Sequence, residues 1–258
     1  ELYLRRASIY HSLGNTENSA KDFLNALSIK ESNITTVLRA VRGLMNTQPE
    51  AISNLEEFAA FKNLEALDKL SIIRVIIDSP PESPLMLIAE KLLRGLISNS
   101  DVELPARSMA VIDLSIVYMT LGRFKDTMLL LEHPPSDRIN KINDCFNYAM
   151  AAWGAKGKPE PELFERVIEL YKRNLESGKR RDANYLQCIS LAYNIAGDVV
   201  QARGCLTASR QSLSRMSDEQ FSAWRYNTVP AKQFAEDLDK ISDWINGEPI
   251  SPPFLRNA

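Results

Sequence analysis

The sequence predicts an all-α fold built from repeated helical hairpins. Three observations carry that prediction. Glycine is scarce, 10 of 258 residues, against a usual share of about 7%, so the tight turns that join many short strands are few. Apolar residues recur at helical spacing along the chain, and no alternating run is bounded by Asn-Gly or Asp-Gly. Four of the glycines also sit in one recurring local pattern.

Around Gly14, Tyr10 stands four residues before, Ala7 seven before, Ser19 five after and Phe23 nine after. The same offsets around Gly197 give Tyr193, Ser190, Ala202 and Leu206, and around Gly122 they give Tyr118, Ser115, Thr127 and Leu131. Gly157 has Trp153 four before and Phe146 eleven before. Its second half fits with one extra residue in the turn Lys158-Pro159-Glu160-Pro161, giving Leu163, Val167 and Leu170. The chemistry behind the spacing is simple. Two antiparallel helices need Ala or Ser where they cross, an aromatic one turn before the glycine fills the space between pairs, and the glycine supplies the positive φ that ends the first helix. Such a unit cannot bury its apolar face alone and needs neighbours.

These segments resemble the tetratricopeptide repeat (TPR), whose unit is about 34 residues. Tyr10-x-x-Leu13-Gly14, Tyr118-x-x-Leu121-Gly122 and Tyr193-x-x-Ala196-Gly197 carry the resemblance, and Gly122 to Gly157 spans 35 residues, Gly157 to Gly197 spans 40. The resemblance implies an α-solenoid, or superhelix, of about six TPR-like helical hairpins over 1–216, irregular at 59–110. A different α-solenoid with similar helix pairing is the alternative.

In chain order, the first unit occupies 1–28, and Glu31 stands where the resembled family usually has a closing proline. Ala40, Asn46-Thr47, Ala51 and Phe58 outline a second unit without its glycine. Residues 64–98 read as two apolar helices around the proline turn at 78–84. The Gly122 unit is cut short by His133-Pro134-Pro135, and helices are expected at 162–176 and 183–196. Ser217 reads as a helix start ahead of Phe221 and Trp224. Residues 231–245 form an amphipathic helix with Phe234, Leu238, Ile241, Trp244 and Ile245 inward and Glu236, Asp237, Asp239, Lys240 and Asp243 in water. Residues 217–246 thus read as capping helices, with Trp224 and Trp244 as packing anchors. The proline-bearing stretch 247–258 reads as an extended tail. The chain opens at Glu1 inside a helical pattern, as a piece cut from a longer protein would.

Composition sets limits on function. Lys plus Arg total 31 and Asp plus Glu 33, a net charge of 31 − 33 = −2. No basic excess marks a nucleic-acid binder, and no apolar run is long enough to span a membrane. Three cysteines, Cys145, Cys188 and Cys205, match no zinc spacing and read as small apolar side chains. His11 and His133 are the two histidines, and there is no Gly-rich phosphate loop, no G-x-S-x-G and no H-E-x-x-H. Asn33-Ile34-Thr35 matches a glycosylation acceptor, a pattern expected once by chance in a chain this long. Gly178-Lys179-Arg180-Arg181 is the densest basic cluster and reads as a favourable charge at a helix C-terminus. The expectation is a protein without catalytic residues, metal or cofactor, in a compartment the sequence does not name, with the cytoplasm preferred.

In the resembled family, ligands bind the concave face lined by the first helix of each pair. The resemblance assigns that face to positions thirteen, ten, six and three before each turn glycine. Around Gly157 these are Asp144, Asn147, Ala151 and Gly154; around Gly197, Asn184, Gln187, Leu191 and Asn194; around Gly122, Met109, Ile112, Ile116 and Met119. Family members that clamp a C-terminal carboxylate use lysines where this chain has Ile112, Asn147 and Gln187, so no such clamp is expected. Amides instead suit the paired donors and acceptors of an extended peptide backbone. The expected partner is a protein, met as a peptide or a helix, with Asp144, Asn147, Asn184, Gln187, Leu191, Asn194, Met109 and Ile112 as the contact set. The alternative is a periplasmic TPR-like segment of a polysaccharide secretion or assembly system, with a polysaccharide as ligand, and a spacer between domains is the further alternative.

Overall fold

The computed structural model describes residues 1–80, 83–132, 141–176, 183–216 and 231–248. Among these residues there are thirteen α-helices, one 3-10 helix and no strands. The chain divides into two compact units, Glu1–Val117 and Tyr118–Ala258.

The first unit opens with α1 (Leu2–Ser12), α2 (Thr16–Leu27) and α3 (Ile34–Thr47), each packed on its chain neighbour. A 3-10 helix (Pro49–Glu57) and a single turn, α4 (Ala59–Lys62), follow, then α5 (Ala66–Ile77) packed on α6 (Leu85–Ser98). The next helix, α7, runs from Leu104 to Thr120. The second unit takes in α8 (Phe124–Glu132), α9 (Lys141–Lys156), α10 (Pro161–Glu176), α11 (Ala183–Ile195), α12 (Val199–Ser214) and α13 (Ala231–Ile245). From α9 onward each helix packs on the one before it, and α13 also touches α11.

The turn glycines behave as their spacing requires. Gly14, Gly122, Gly157 and Gly197 all have φ between 70° and 84°. At Gly14 the amide donates to the His11 carbonyl (3.0 Å) and the Asn15 amide donates back to Tyr10 (2.9 Å). Gly122 with Arg123, and Gly197 with Asp198, repeat that pair of bonds onto Met119 and Tyr118, and onto Asn194 and Tyr193. In all three the bond that spans five residues, the shorter of the pair in distance, ends on the carbonyl of the recurring tyrosine. Gly157 differs, its amide donating to Trp153 at 2.8 Å, the simpler left-handed ending. This is the unit whose turn needed an extra residue. The residue after the glycine also starts the next helix. The Asn15 side chain accepts from the Asn18 amide and Asp198 from the Gln201 amide, both at 3.1 Å.

The small residues meet at the helix crossings. Ser19 Oγ donates to the Ala7 carbonyl at 2.9 Å, and Ser190 Oγ donates to the Ala202 carbonyl at 2.8 Å. The two hairpins make the same bond with donor and acceptor exchanged between first and second helix. All four residues are buried, and only a side chain as small as Ala or Ser leaves room for a hydroxyl to reach the facing backbone.

Aromatics fill the second unit. Phe164 is wholly buried, with its ring edge-on to Phe146 (6.3 Å between centroids) and to Trp153 (6.4 Å). Burying one such side chain is worth about 1.5–3 kcal/mol, and edge-on pairs add about 0.5–1.5 kcal/mol. Trp244 packs into the same core with Leu238, Ile241 and Ile245 of α13, while Glu236, Asp239, Lys240 and Asp243 remain exposed.

One expected segment takes a different form. The second half of the unit at 31–58 is 3-10, and Asn54 lies outside helical space at φ −108°, ψ 23°. Pro49 starts it, and Ile52 and Leu55, both buried, stand three residues apart. A three-residue turn aligns such a pair better than an α-helix does. Residues 217–230, with Trp224 and the helix start at Ser217, lie outside the described residues, as do His133 and 249–258 of the tail.

Candidate functional site

The candidate face is carried by the first helices of the later hairpins. On α11, Gln187, Leu191 and Asn194 are four and three residues apart, so they share one side of the helix. On α9, Asp144, Asn147, Ala151 and Gly154 share a side in the same way. Both helices pack against α10, whose buried face is Phe164, Val167, Ile168 and Tyr171. Their C-terminal ends are set by the Gly157 and Gly197 turns.

Exposure divides the expected contact set. Asn194 and Asp144 are half-buried. Asn147 is buried and already engaged by neighbours, and Asp144 has interactions of its own. Leu191 is 0% exposed and belongs to the apolar core with Ile189 and Ala192, so it offers a ligand no surface. Gln187 is 3% exposed, and its Nε2 is buried without a hydrogen-bond partner. The side chain of Asn184 lies outside the described residues. In the first unit, Met109 is buried and Ile112 half-buried.

The Gly154 position is occupied from within the fold. A Cβ there would lie 2.5 Å from Phe124 Cε1 and 2.7 Å from Cδ1, so the Phe124 ring lies against the α9 backbone. The glycine alone does not announce such an approach, since Gly204, equally isolated in α12, meets nothing within 4 Å. A second feature without a local signal is the buried ion pair of the first unit. Arg74 Nε donates to Asp113 Oδ2 (2.8 Å) and Nη2 to Oδ1 (3.2 Å). The partners are 39 residues apart. Burial holds the Asp113 carboxyl above its ordinary value, with the Arg74 charge pulling the other way.

Other titratable groups are perturbed by packing. Burial raises the Cys145 thiol and the Tyr193 hydroxyl. The Arg6 guanidinium, bonded to both oxygens of Asp22 at 2.6 Å, holds that carboxyl below its usual range. His11 is exposed. Cys145, Cys188 and Cys205 form no disulfide and are set within or against the apolar core of the second unit. Among the described residues no group of three or more His, Cys, Asp or Glu side chains could hold a metal ion. No described helix is long and apolar enough to cross a membrane.

No family model, no curated protein and no solved structure matches this chain.

Proposed function

We propose that this chain is a non-catalytic interaction scaffold, a TPR-like α-solenoid of helical hairpins. Its partner is a protein, bound as an extended peptide or a helix along the first helices of the later hairpins. Asp144, Asn147, Asn184, Gln187 and Asn194 form the contact set. A preformed helical surface loses little conformational entropy on binding. The repeated turns and the Ser–carbonyl crossings supply that rigidity.

The observation that carries this reading is the unpartnered Gln187 Nε2. A buried donor left without a partner costs about 1–3 kcal/mol, so folding alone gives no reason to place an amide there. A ligand's carbonyl would supply that partner once the neighbours covering Gln187, 3% exposed, move aside. The test begins with a phage-displayed peptide library selected on the folded chain. The winning peptide is then titrated against wild type and Gln187→Met by fluorescence anisotropy. Methionine keeps the volume and removes the orphan donor. The variant should melt at a higher temperature and bind at least tenfold more weakly. A lower melting temperature with unchanged affinity would show that the amide serves the fold and would sink the site.

The polysaccharide reading asks for exposed aromatic rings on which sugars could stack. Every described aromatic side chain is buried or half-buried, so nothing favours that reading over a peptide.

A further inference from the structure

A second site lies on α7, within the first unit, and starts from an arginine that lacks a carboxylate. Arg107 Nε is buried without a hydrogen-bond partner, and among the described residues no side chain pairs with this arginine. Other arginines of the chain show what that edge takes. Arg6 and Arg74 each give Nε and Nη2 to the two oxygens of one carboxylate, Asp22 and Asp113. Arg94 and Arg123 also set Nε on a carboxylate, Glu90 at 3.0 Å and Asp126 at 2.6 Å. Two-bond pairs of this kind are the strong form of the contact. Glu103 stands one helical turn before Arg107 and is exposed, yet it leaves the Nε unmatched. A charged donor left buried without a partner is costly to the fold.

The next residue adds a second unmatched donor. Ser108 is 2% exposed, and its Oγ has no partner. Ser108, Ile112 and Ile116 stand four residues apart, so they share one side of α7. Exposure rises along that side, from buried Ser108 through half-buried Ile112 to Ile116 at 38%. The helix therefore runs from two unmatched donors to open apolar surface.

We propose that α7 binds an extended acidic segment of a partner protein through Arg107, Ser108, Ile112 and Ile116. A side-chain carboxylate of that segment takes the Nε edge of Arg107 and the Ser108 hydroxyl, once the neighbours covering them move aside. Arg107 is half-buried, and its long stem lets the guanidinium swing that edge outward. Helix rise sets the register. At about 1.5 Å per residue, Ile112 lies about 6 Å and Ile116 about 12 Å along the axis from Ser108. An extended peptide advances about 3.3 Å per residue and turns alternate side chains the same way, so two residues span about 6.6 Å and four about 13 Å. The matching segment is thus Asp or Glu with apolar side chains two and four residues away. This site is independent of the face proposed on α9 and α11.

The probe is the peptide Gly-Leu-Ser-Leu-Ser-Asp-Ser-Leu-Ser-Leu-Gly, which offers that spacing in either chain direction. Both ends are blocked, so the Asp side chain is its one charge. It is titrated into the full isotope-labelled chain, and the backbone amide and arginine Nε–H signals are followed by NMR. The Arg107 signal should move and saturate. A twin peptide with Asn in place of Asp should bind at least tenfold more weakly, and so should the Asp peptide to Ile116→Asp. Arg107→Met should lose saturable binding and melt no lower than wild type, because it removes an unmatched buried donor. Gln187→Met, on the other face, should bind this peptide as wild type does, so the two sites can fail separately. Equal binding of the Asp and Asn peptides overturns the proposal, as does an Arg107 signal that never moves. A clearly less stable Arg107→Met overturns it too, since the guanidinium would then serve the fold.

Discussion

Gly154 gives the sharpest test of how the second unit is packed. Gly→Ala in an open helix interior gains about 1 kcal/mol from helix propensity. At Gly204, on α12, a Cβ would meet nothing within 4 Å, so Gly204→Ala should realise that gain. At Gly154 the same methyl would be driven against Phe124, 2.5 Å from its ring. Forcing atoms into a filled contact costs about 1–3 kcal/mol, which cancels or exceeds the propensity gain. The two substitutions should therefore differ by about 1–3 kcal/mol. At an m-value of about 2 kcal/mol/M, that separates their urea midpoints by about 0.5–1.5 M. The three tryptophans are Trp153, Trp224 and Trp244, so intrinsic fluorescence follows the second unit alone. In a Phe124→Leu background the ring is gone, and Gly154→Ala should turn from costly to stabilising. If Gly154→Ala stabilises wild type as much as Gly204→Ala does, the Phe124 ring does not lie on α9 and the packing argument fails.

Three further outcomes follow from the same structure. Ser190→Ala should cost about 0.5–1.5 kcal/mol through the lost bond to Ala202, and Ser190→Leu clearly more, in thermal melts; equal stability of the two would mean that α11 and α12 do not cross closely there. Arg74→Met should cost about 3–5 kcal/mol by leaving Asp113 buried and unpaired, while the double variant Arg74→Met/Asp113→Leu regains most of it, as chemical denaturation would read. Arg6 depresses the folded-state value of Asp22 below the ordinary carboxylate value, so the pair stabilises fully above about pH 4 and loses its contribution as pH falls through the depressed value. The stability gap between wild type and Asp22→Asn should accordingly narrow in melts taken from pH 5 down to pH 2, and a gap that widens would contradict the assignment.

What could be read in advance was local. A tyrosine four residues before a glycine, with small residues at fixed offsets, encodes a turn that only a positive φ completes. Gly14, Gly122 and Gly197 bear that out bond for bond. The helix at 231–245 was legible because its apolar and charged residues alternate with a period that needs no partner to be recognised. The 3-10 helix at 49–57 was not, since Ile52 and Leu55 fit either helical period in so short a run. Features joined over distance were also hidden. Nothing near Arg74 in sequence names Asp113, and nothing near Gly154 names Phe124. The contact set depended on the resembled family's offsets, which place residues on a helix side and say nothing of what packs upon it. Leu191 and Gln187 are therefore buried, although their spacing matches that of half-buried Asn194.

The most direct test of the scaffold account is an NMR titration with the selected peptide, following the side-chain amide signals of Asn147, Asn184, Gln187 and Asn194. The account predicts that the Gln187 and Asn194 signals move together and saturate with the affinity measured by anisotropy. Saturation at other residues while those two signals stay in place would contradict it.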